Sequence, residues 1–317
     1  MSSLYELLEK PQADEMYMIA GWRQWADAGA VSSGLPEYLV ELSGARLIGS
    51  IPPEGYYLFQ IPGTHDLMRP VIRFDEGFPA ELVTPENRFF YTENSRRGVV
   101  IFLGDEPHMD IERYTRAFLS MAHELGVRRI VGLGGVYGEL PYEKERTVSG
   151  SYSLRAMKEE MKGLALSLTE YQGGSSISSY ICKRAGEQGI EFVGMYGLVP
   201  LYDFSNLAQI GHTVRIENDY VAWLGILRRI NYMFKTSFDL GELSTQSKAL
   251  TRELAERIDE FDKMAPDAGV KEYFRKLAED YNEMQFIPLD DVWEENLRKI
   301  LDKFEDAGEP GEPPEEG

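Results

Sequence analysis

The sequence predicts an α/β fold, a mostly parallel sheet covered by helices on both faces, followed by a helical C-terminal extension. Two observations carry this. From residue 17 to about 200, short apolar runs alternate with amphipathic helical segments, the texture of repeated strand–helix–strand units. After about residue 240 the strand signals vanish and helical periodicity takes over. The composition is compatible with this, because 43% hydrophobic and 27% charged residues over 317 positions suffice for a full core.

In chain order, Met16 to Ala20 is a buried strand, and the spacing predicts a helix from about Ala28 to Ser43 that Ser43-Gly44 stops. Arg46 to Ile51 is the next strand, and residues 56–74 form a hairpin region around Pro62-Gly63. Val99 to Leu103 is a β-branched strand core. Ile111, Tyr114, Phe118, Met121, Ala122 and Leu125 recur at helical spacing, with Asp110 placed to cap the start and Gly126 to close the end. Val127 to Gly132 follows as a strand, then a helix over 153–168, another from near Ser175, and a late strand from Glu191 to Val199. Leu243, Leu250, Leu254, Ile258 and Phe261 form one helical stripe. Val270, Tyr273, Phe274, Leu277, Ala278, Tyr281 and Met284 form a second, and Ala265-Pro266-Asp267 between them makes a helical hairpin. A short helix over Leu289 to Phe304 is expected last. Residues 306–317 hold five acidic groups, three prolines and no basic residue, so disorder is expected there. The implied organisation is an α/β core over 1–240, a helical extension over 241–305 and an acidic tail over 306–317, with no internal repeat.

Charge narrows the function classes. With 33 basic against 53 acidic residues, the formal charge of −20 repels phosphate backbones, and no dense basic stripe offsets it, so nucleic acid is not an expected partner. The longest apolar runs fall far short of the roughly 20 residues that a membrane span needs. Met1-Ser-Ser-Leu-Tyr-Glu has neither a basic region nor an apolar stretch behind it, so no signal peptide is expected. Cys182 stands alone, which excludes an intramolecular disulfide and a cysteine-built metal site and fits a reducing, cytoplasmic setting. His65, His108, His123 and His212 show no metal-ligand spacing, and no cofactor is expected.

Three segments could carry chemistry. Gly104-Asp-Glu-Pro-His-Met-Asp110 follows a buried strand, where α/β proteins place ligands. There Glu106 and His108 could form an acid/base pair, or else be loop polars ahead of a helix that Asp110 caps. Gly132-Leu-Gly-Gly-Val-Tyr-Gly138 is glycine-rich, but Tyr137 breaks the dinucleotide fingerprint and no Gly-Lys-Ser/Thr follows; tight turning is the simpler account. Tyr171-Gln-Gly-Gly-Ser-Ser176 precedes a helix. Its N–H groups could hold an anion, or Ser175 or Ser176 could cap the helix. No serine lies in a Gly-x-Ser-x-Gly elbow. Cys182 fits a small buried hydrophobe better than a nucleophile. Trp22 and Trp25 flank a strand-end loop and could anchor a partner or pack in the core.

Taken together, these segments resemble the proteasome assembly chaperone family of archaea and bacteria. The residues that carry the resemblance are Gly21-Trp22, Asp27-Ala28-Gly29, Arg69-Pro70, Gly104 to His108, Leu133-Gly134-Gly135, and Pro200-Leu-Tyr202 with Asn206. Any one is weak; the ordered set, over residues 17–235, is moderately specific. The resemblance implies a three-layer α/β fold similar to nucleoside phosphorylases, a helical C-terminal part, self-association, and protein binding rather than an established reaction. Trp22, Asp27, Gly29, Arg69, Gly134, Gly135, Ser175 and Ser176 are the binding residues expected on this basis. The alternative is a phosphorylase-, hydrolase- or carboxylate–amine-ligase-like enzyme with Glu106 or His108 as acid/base, although no ATP-binding motif is visible. Three departures stand out. Four residues separate Trp22 from Asp27, more than the commonest family form. Pro141-Tyr-Glu-Lys144, with Arg146 later, replaces the family's Pro-His-Thr-Arg. The archaeal hydrophobic–Tyr–any proteasome-docking tail is not matched by Glu315-Glu316-Gly317.

Overall fold

The structure, a computed structural model, describes residues 3–60, 69–203, 213–266, 269–284 and 286. All of these except Phe286 belong to one compact unit, Met1–Gln285; Phe286–Gly317 form a second. The expected helix over 289–304, the acidic tail, Pro62-Gly63, His65, Asn206 and His212 lie outside the described residues.

The first half of the chain runs β1 (Glu6–Leu7), β2 (Met16–Arg23), α1 (Gly34–Ser43), β3 (Arg46–Ser50), β4 (Val71–Asp75), β5 (Phe78–Val83), β6 (Asn87–Asn94), β7 (Arg97–Asp105), α2 (Ile111–Glu124) and β8 (Val127–Gly138). The second continues with β9 (Val148–Tyr152), α3 (Lys158–Gly163), β10 (Ser167–Leu168), α4 (Ile177–Glu187), β11 (Glu191–Asp203), β12 (Thr213–Arg215), α5 (Tyr220–Phe234), α6 (Gly241–Met264) and α7 (Val270–Asp280). The main sheet has the order β1-β3-β6-β7-β2-β8-β11-β9-β10, with β12 on the end of β11. Its centre, β7-β2-β8-β11, is parallel, and antiparallel strands flank it on both sides.

The central strands are apolar on both faces because both are covered. On one face Met16, Met18, Ala20 and Trp22 join Val100, Phe102, Ile130 and Phe192 beneath α2 and α4. On the other, Tyr17 stacks on Phe234 of α5 with ring centroids 4.4 Å apart, and α1 covers β2 and β7. Helices on both faces of the sheet make the mixed α/β layering that the alternation predicts. The C-terminal stripes form helices: α6 buries Leu243, Leu254 and Ile258 and packs on α5, while Phe274 of α7 sets its ring edge-on to Tyr202 at 4.7 Å.

Several expectations are corrected. The helix expected from Ala28 is a separate 3-10 turn, Ala28–Ala30, with Gly29 at φ +61°, and the helix proper starts at Gly34. The glycine-rich 132–138 segment is no turn but the second half of β8. Its glycines serve close approach: a Cβ at Gly134 would enter the Tyr196 ring, and one at Gly135 would meet the Ala28 carbonyl oxygen. The described hairpin is β4–β5, turning at Glu76-Gly77 with φ of +45° and +87°, later than the sequence placed it. The helix over 153–168 shortens to α3, because Ala165 adopts φ +48° and β10 follows. Asp110 makes no side-chain cap bond and instead lies 3.6 Å from Arg113. Strands β6, β9 and β12 and helix α5 had no counterpart in the sequence reading.

Candidate functional site

Parallel strands deliver their carboxyl ends to one edge of the sheet, and most of the sequence-flagged residues meet there. The loop Gln24–Ala30 leaves β2 with an unusual backbone. Gln24, Ala26 and Ala30 take φ of +89°, +51° and +47°, a left-handed region that residues with a Cβ rarely enter and that persists only under external restraint.

The restraints are the flagged residues. Asp27 Oδ1 accepts from the N–H groups of Ser32 and Ser33, both at 2.9 Å, closing the turn into α1. Burial pushes the Asp27 carboxyl upward against those bonds. Gly135 donates its N–H to Ala26 O at 2.7 Å, and Asp27 bridges to Gly135 as a short strand extension. Gly29 O accepts from Asp219 N and from Trp223 Nε1, each at 2.9 Å; Asp219 and Val199 leave no room for a Cβ there.

Glu106, at the end of β7, reaches across to the amino terminus of α4. Its Oε1 accepts from Ile177 N at 2.8 Å. Burial is the main influence on it and raises its pKa to about 7, the neighbouring backbone N–H groups of Ile177 and Trp25 opposing. Its Oε2 is buried with no protein partner. The Ile177 N–H at the turn, which could have held an external anion, is taken by the chain's own Glu106 carboxyl group. Ser176 caps α4, its Oγ accepting from Ser179 N at 3.2 Å, whereas Ser175 is exposed.

His108 turns elsewhere. Its Nδ1 accepts from Leu58 N at 3.2 Å, which leaves the proton on Nε2 to donate to Gln24 Oε1 at 3.3 Å. Burial lowers its pKa, with Asp105 opposing. His108 and Glu106 therefore face different partners and do not bond to each other. Cavities of about 380 Å³, at Lys10–Met16, and about 150 Å³, beside Arg146 and Arg228, lie elsewhere and include neither residue.

The two tryptophans part company. Trp22 is 1% exposed and donates from Nε1 to Tyr114 Oη at 2.9 Å, whose hydroxyl in turn bonds Asn87 Oδ1. Trp25, at the crest of the restrained loop, is 61% exposed. Arg69 is exposed with its guanidinium 4.8 Å over the Phe59 ring, away from this network. Cys182 is buried, which pushes its thiol up to about 11 and away from nucleophilic use. Among the described residues no group of three His, Cys, Asp or Glu side chains could hold a metal, and no helix is long and apolar enough to cross a membrane.

The sequence reading missed Asp219 as a key residue. It caps α5 through Val221 N and Ala222 N, both at 3.1 Å, and pairs with Arg146 at 2.8 Å. An acidic residue just before the apolar run Tyr220-Val-Ala-Trp-Leu224 was the available signal.

A model of the PAC2 family matches residues 22–258. Among solved structures, a PAC2 family protein from Streptomyces avermitilis is 25% identical, with a TM-score of 0.66 over 82% of this chain and 99% of its own. A proteasome-assembly chaperone homologue from Mycobacterium tuberculosis is 26% identical, with a TM-score of 0.67 over 81% of this chain and 99% of its own. An archaeal proteasome activator from Pyrococcus furiosus shares the fold at 16% identity, TM-score 0.57, over 80% and 98% of the two chains. No curated protein matches the chain.

Proposed function

The chain belongs to the PAC2 family, and from that membership we propose that it is a non-catalytic, protein-binding chaperone or assembly factor, cytoplasmic and self-associating. The observation that carries the reading is the Gln24–Ala30 loop. Asp27, Gly135 and His108 are engaged in holding this loop, with its left-handed residues Gln24, Ala26 and Ala30, beneath an exposed Trp25. A rigid aromatic anchor binds protein well because it loses little conformational freedom on docking. The relative from Mycobacterium tuberculosis, a proteasome-assembly chaperone homologue, supports protein subunits as the class of partner.

The test is affinity capture from the native organism with mass spectrometry, comparing the natural chain with Trp25→Ser. Trp25 is mostly solvent-exposed, so the variant keeps its thermal midpoint. Partners captured by the natural chain and lost by the variant are expected; identical capture overturns the role of the loop.

One observation favours a second reading. Glu106, with a pKa near 7 and an unpartnered buried oxygen, has the protonation behaviour of a general acid. A thermal-shift screen of nucleosides, phosphate and ATP separates the two, since a ligand at 100 times its dissociation constant adds about 2.7 kcal/mol. No shift is expected. A saturable shift lost in His108→Gln establishes the enzyme reading instead.

A further inference from the structure

His108 lies in the loop between β7 and α2 and touches two other loops at once. Its backbone is fixed, since His108 N and Met109 N both donate to Tyr56 O, at 2.8 and 3.0 Å. Its ring stands perpendicular to the Tyr57 ring, with centroids 5.6 Å apart. From that seat Nδ1 accepts from Leu58 N at 3.2 Å, and Nε2 lies 3.3 Å from Gln24 Oε1. A backbone N–H can only donate, so the Leu58 bond requires a bare Nδ1. The neutral ring then carries its one proton on Nε2, facing Gln24. Gln24 opens the Trp25 loop and is held there at φ +89°.

We propose that His108 is a proton-operated latch between the loop after β3 and the Trp25 loop, closed when the imidazole is neutral and opened when it takes up a second proton. This rests on the reading of the Trp25 loop as a binding surface and adds a device that regulates it.

Proton uptake at Nδ1 sets its new N–H against the N–H of Leu58 across 3.2 Å, two donors with no acceptor between them. Staying in place would strengthen the bond to Gln24, but the rigid ring cannot keep that contact without keeping the opposed one. A half-turn about the Cβ–Cγ bond relieves Leu58, because Cδ2 replaces Nδ1. The same half-turn puts Cε1 where Nε2 stood and takes the donor away from Gln24. Gln24 then loses a bond that helps to hold its left-handed backbone, a conformation that persists only when neighbours impose it. Relaxation stays local, because Asp27 remains bonded to Ser32 and Ser33, and Ala26 O to Gly135 N. The part released is Gln24 with the adjoining, exposed Trp25.

The groups around the ring set the direction. Burial disfavours the imidazolium and Asp105 favours it; burial prevails, so the seated ring titrates below its ordinary 6.5. Asp105 is itself engaged, its Oδ2 accepting from Glu86 N at 2.8 Å and lying 3.8 Å from Arg23 Nη1 at the end of β2. Tyr57 donates its hydroxyl to Asp105 O at 2.8 Å, and burial pushes its pKa up, so it stays neutral. Arg113 on α2 is turned to Tyr56 Oη at 2.9 Å and to Asp110 at 3.6 Å, and Glu106 is turned to Ile177 N. Out of its seat the ring regains the ordinary value. The ratio of open to closed therefore rises about tenfold for each pH unit below 6.5, until the seated ring itself protonates. At neutral pH the latch is closed.

The experiment labels the full chain with fluorotryptophan, which gives one fluorine resonance for each of the four tryptophans; Trp25 is assigned by its loss in Trp25→Ser. Spectra run from about pH 8 to about pH 5.5, which spans the ordinary imidazole value and stays above the isoelectric point of about 4.7. Imidazole nitrogen shifts follow His108 in parallel. The Trp25 resonance is expected to move together with His108, with a midpoint below 6.5, and to stay fixed in two variants. His108→Asn keeps an amide oxygen near the place of Nδ1 and cannot take up the proton. Gln24→Leu cuts the link while His108 goes on titrating. A Trp25 resonance that does not move, or that moves as much in His108→Asn, overturns the latch. So does a His108 midpoint at or above 6.5. Movement that vanishes in Glu106→Gln but persists in His108→Asn overturns it in favour of Glu106. Equal partner capture by the natural chain and Trp25→Ser removes the binding reading, while a Trp25 resonance that titrates with His108 leaves the latch standing.

Discussion

Asp219 and Arg146 form an ion pair whose two side chains are fully buried, Nε to Oδ2 at 2.8 Å. The pair joins three elements. Asp219 caps α5 and lies against Gly29, while Arg146 Nη1 donates to the carbonyls of Pro141, Tyr142 and Lys144, at 3.3, 3.0 and 3.1 Å, and so gathers the loop before β9. Asp219→Asn is close to isosteric and keeps an oxygen to cap the helix, so it isolates the charge. Removing one partner of a buried pair typically costs 3–5 kcal/mol, because the other charge remains desolvated. Three carbonyl acceptors still solvate Arg146 here, which places the expected loss at the lower end, about 3 kcal/mol. In a chain of this size that lowers the thermal midpoint by roughly 6–12 °C. Asp219→Ala also removes the cap and is expected to cost about 1 kcal/mol more. Urea denaturation followed by circular dichroism reads both as shifts in midpoint at unchanged slope. The companion variant Arg146→Met, Asp219→Leu removes both charges and is expected to recover most of the loss, as apolar replacements of buried pairs do. A loss below about 1 kcal/mol for Asp219→Asn, or a double variant no better than the single one, refutes the argument from uncompensated burial.

Other outcomes follow from single contacts. Glu106 has a folded-state pKa raised from 4.5 to about 7, so the folded state binds the extra proton between those values. Stability of the natural chain should therefore fall as pH rises from about 4.5 to about 7, and Glu106→Gln should gain relative to it through that window; parallel pH–stability curves for the two proteins contradict the assignment. Gly135→Ala places a methyl group against the Ala28 carbonyl and is expected to destabilise by about 1–3 kcal/mol or more, whereas Gly163→Ala, with nothing within 4 Å, should not destabilise; equal effects in a denaturation series count against the close-approach account. Deleting residues 306–317 should leave the thermal midpoint essentially unchanged, since the tail offers no large apolar side chain to bury, and a drop of several degrees by calorimetry disproves it.

The order of elements was legible because burial imposes a period on sequence. The parallel centre of the sheet is apolar on both faces, so Met16 to Ala20 and Val99 to Leu103 stand out as unbroken runs, while β8 becomes apolar only from Ile130, after Arg128 and Arg129. The α2, α6 and α7 stripes repeat every three or four residues because each helix buries one side. The glycines of 132–138 were misread for a reason of the same kind. A glycine that permits a turn and one that permits close approach look alike until the neighbour is known, and the neighbours of Gly134 and Gly135 are Tyr196 and Ala28, far away in the chain.

The sequence by itself determined the fold class, the helical C-terminal region, the acidic charge and, through its ordered motifs, the family. It also marked Trp22, Asp27, Gly29, Glu106, His108 and Gly135 as residues of interest. What they do was decided only by the tertiary structure, because hydrogen-bond partners and burial depend on elements that folding alone brings together. Trp22 and Trp25 are three residues apart, yet one lies in the core on Tyr114 and the other projects into solvent. Glu106 and His108 are two apart and face different partners, Ile177 on α4 and Leu58 in the loop after β3. Residues that looked like a catalytic pair turn to separate elements, since at the edge of a sheet direction is set by the packed neighbour and not by spacing along the chain.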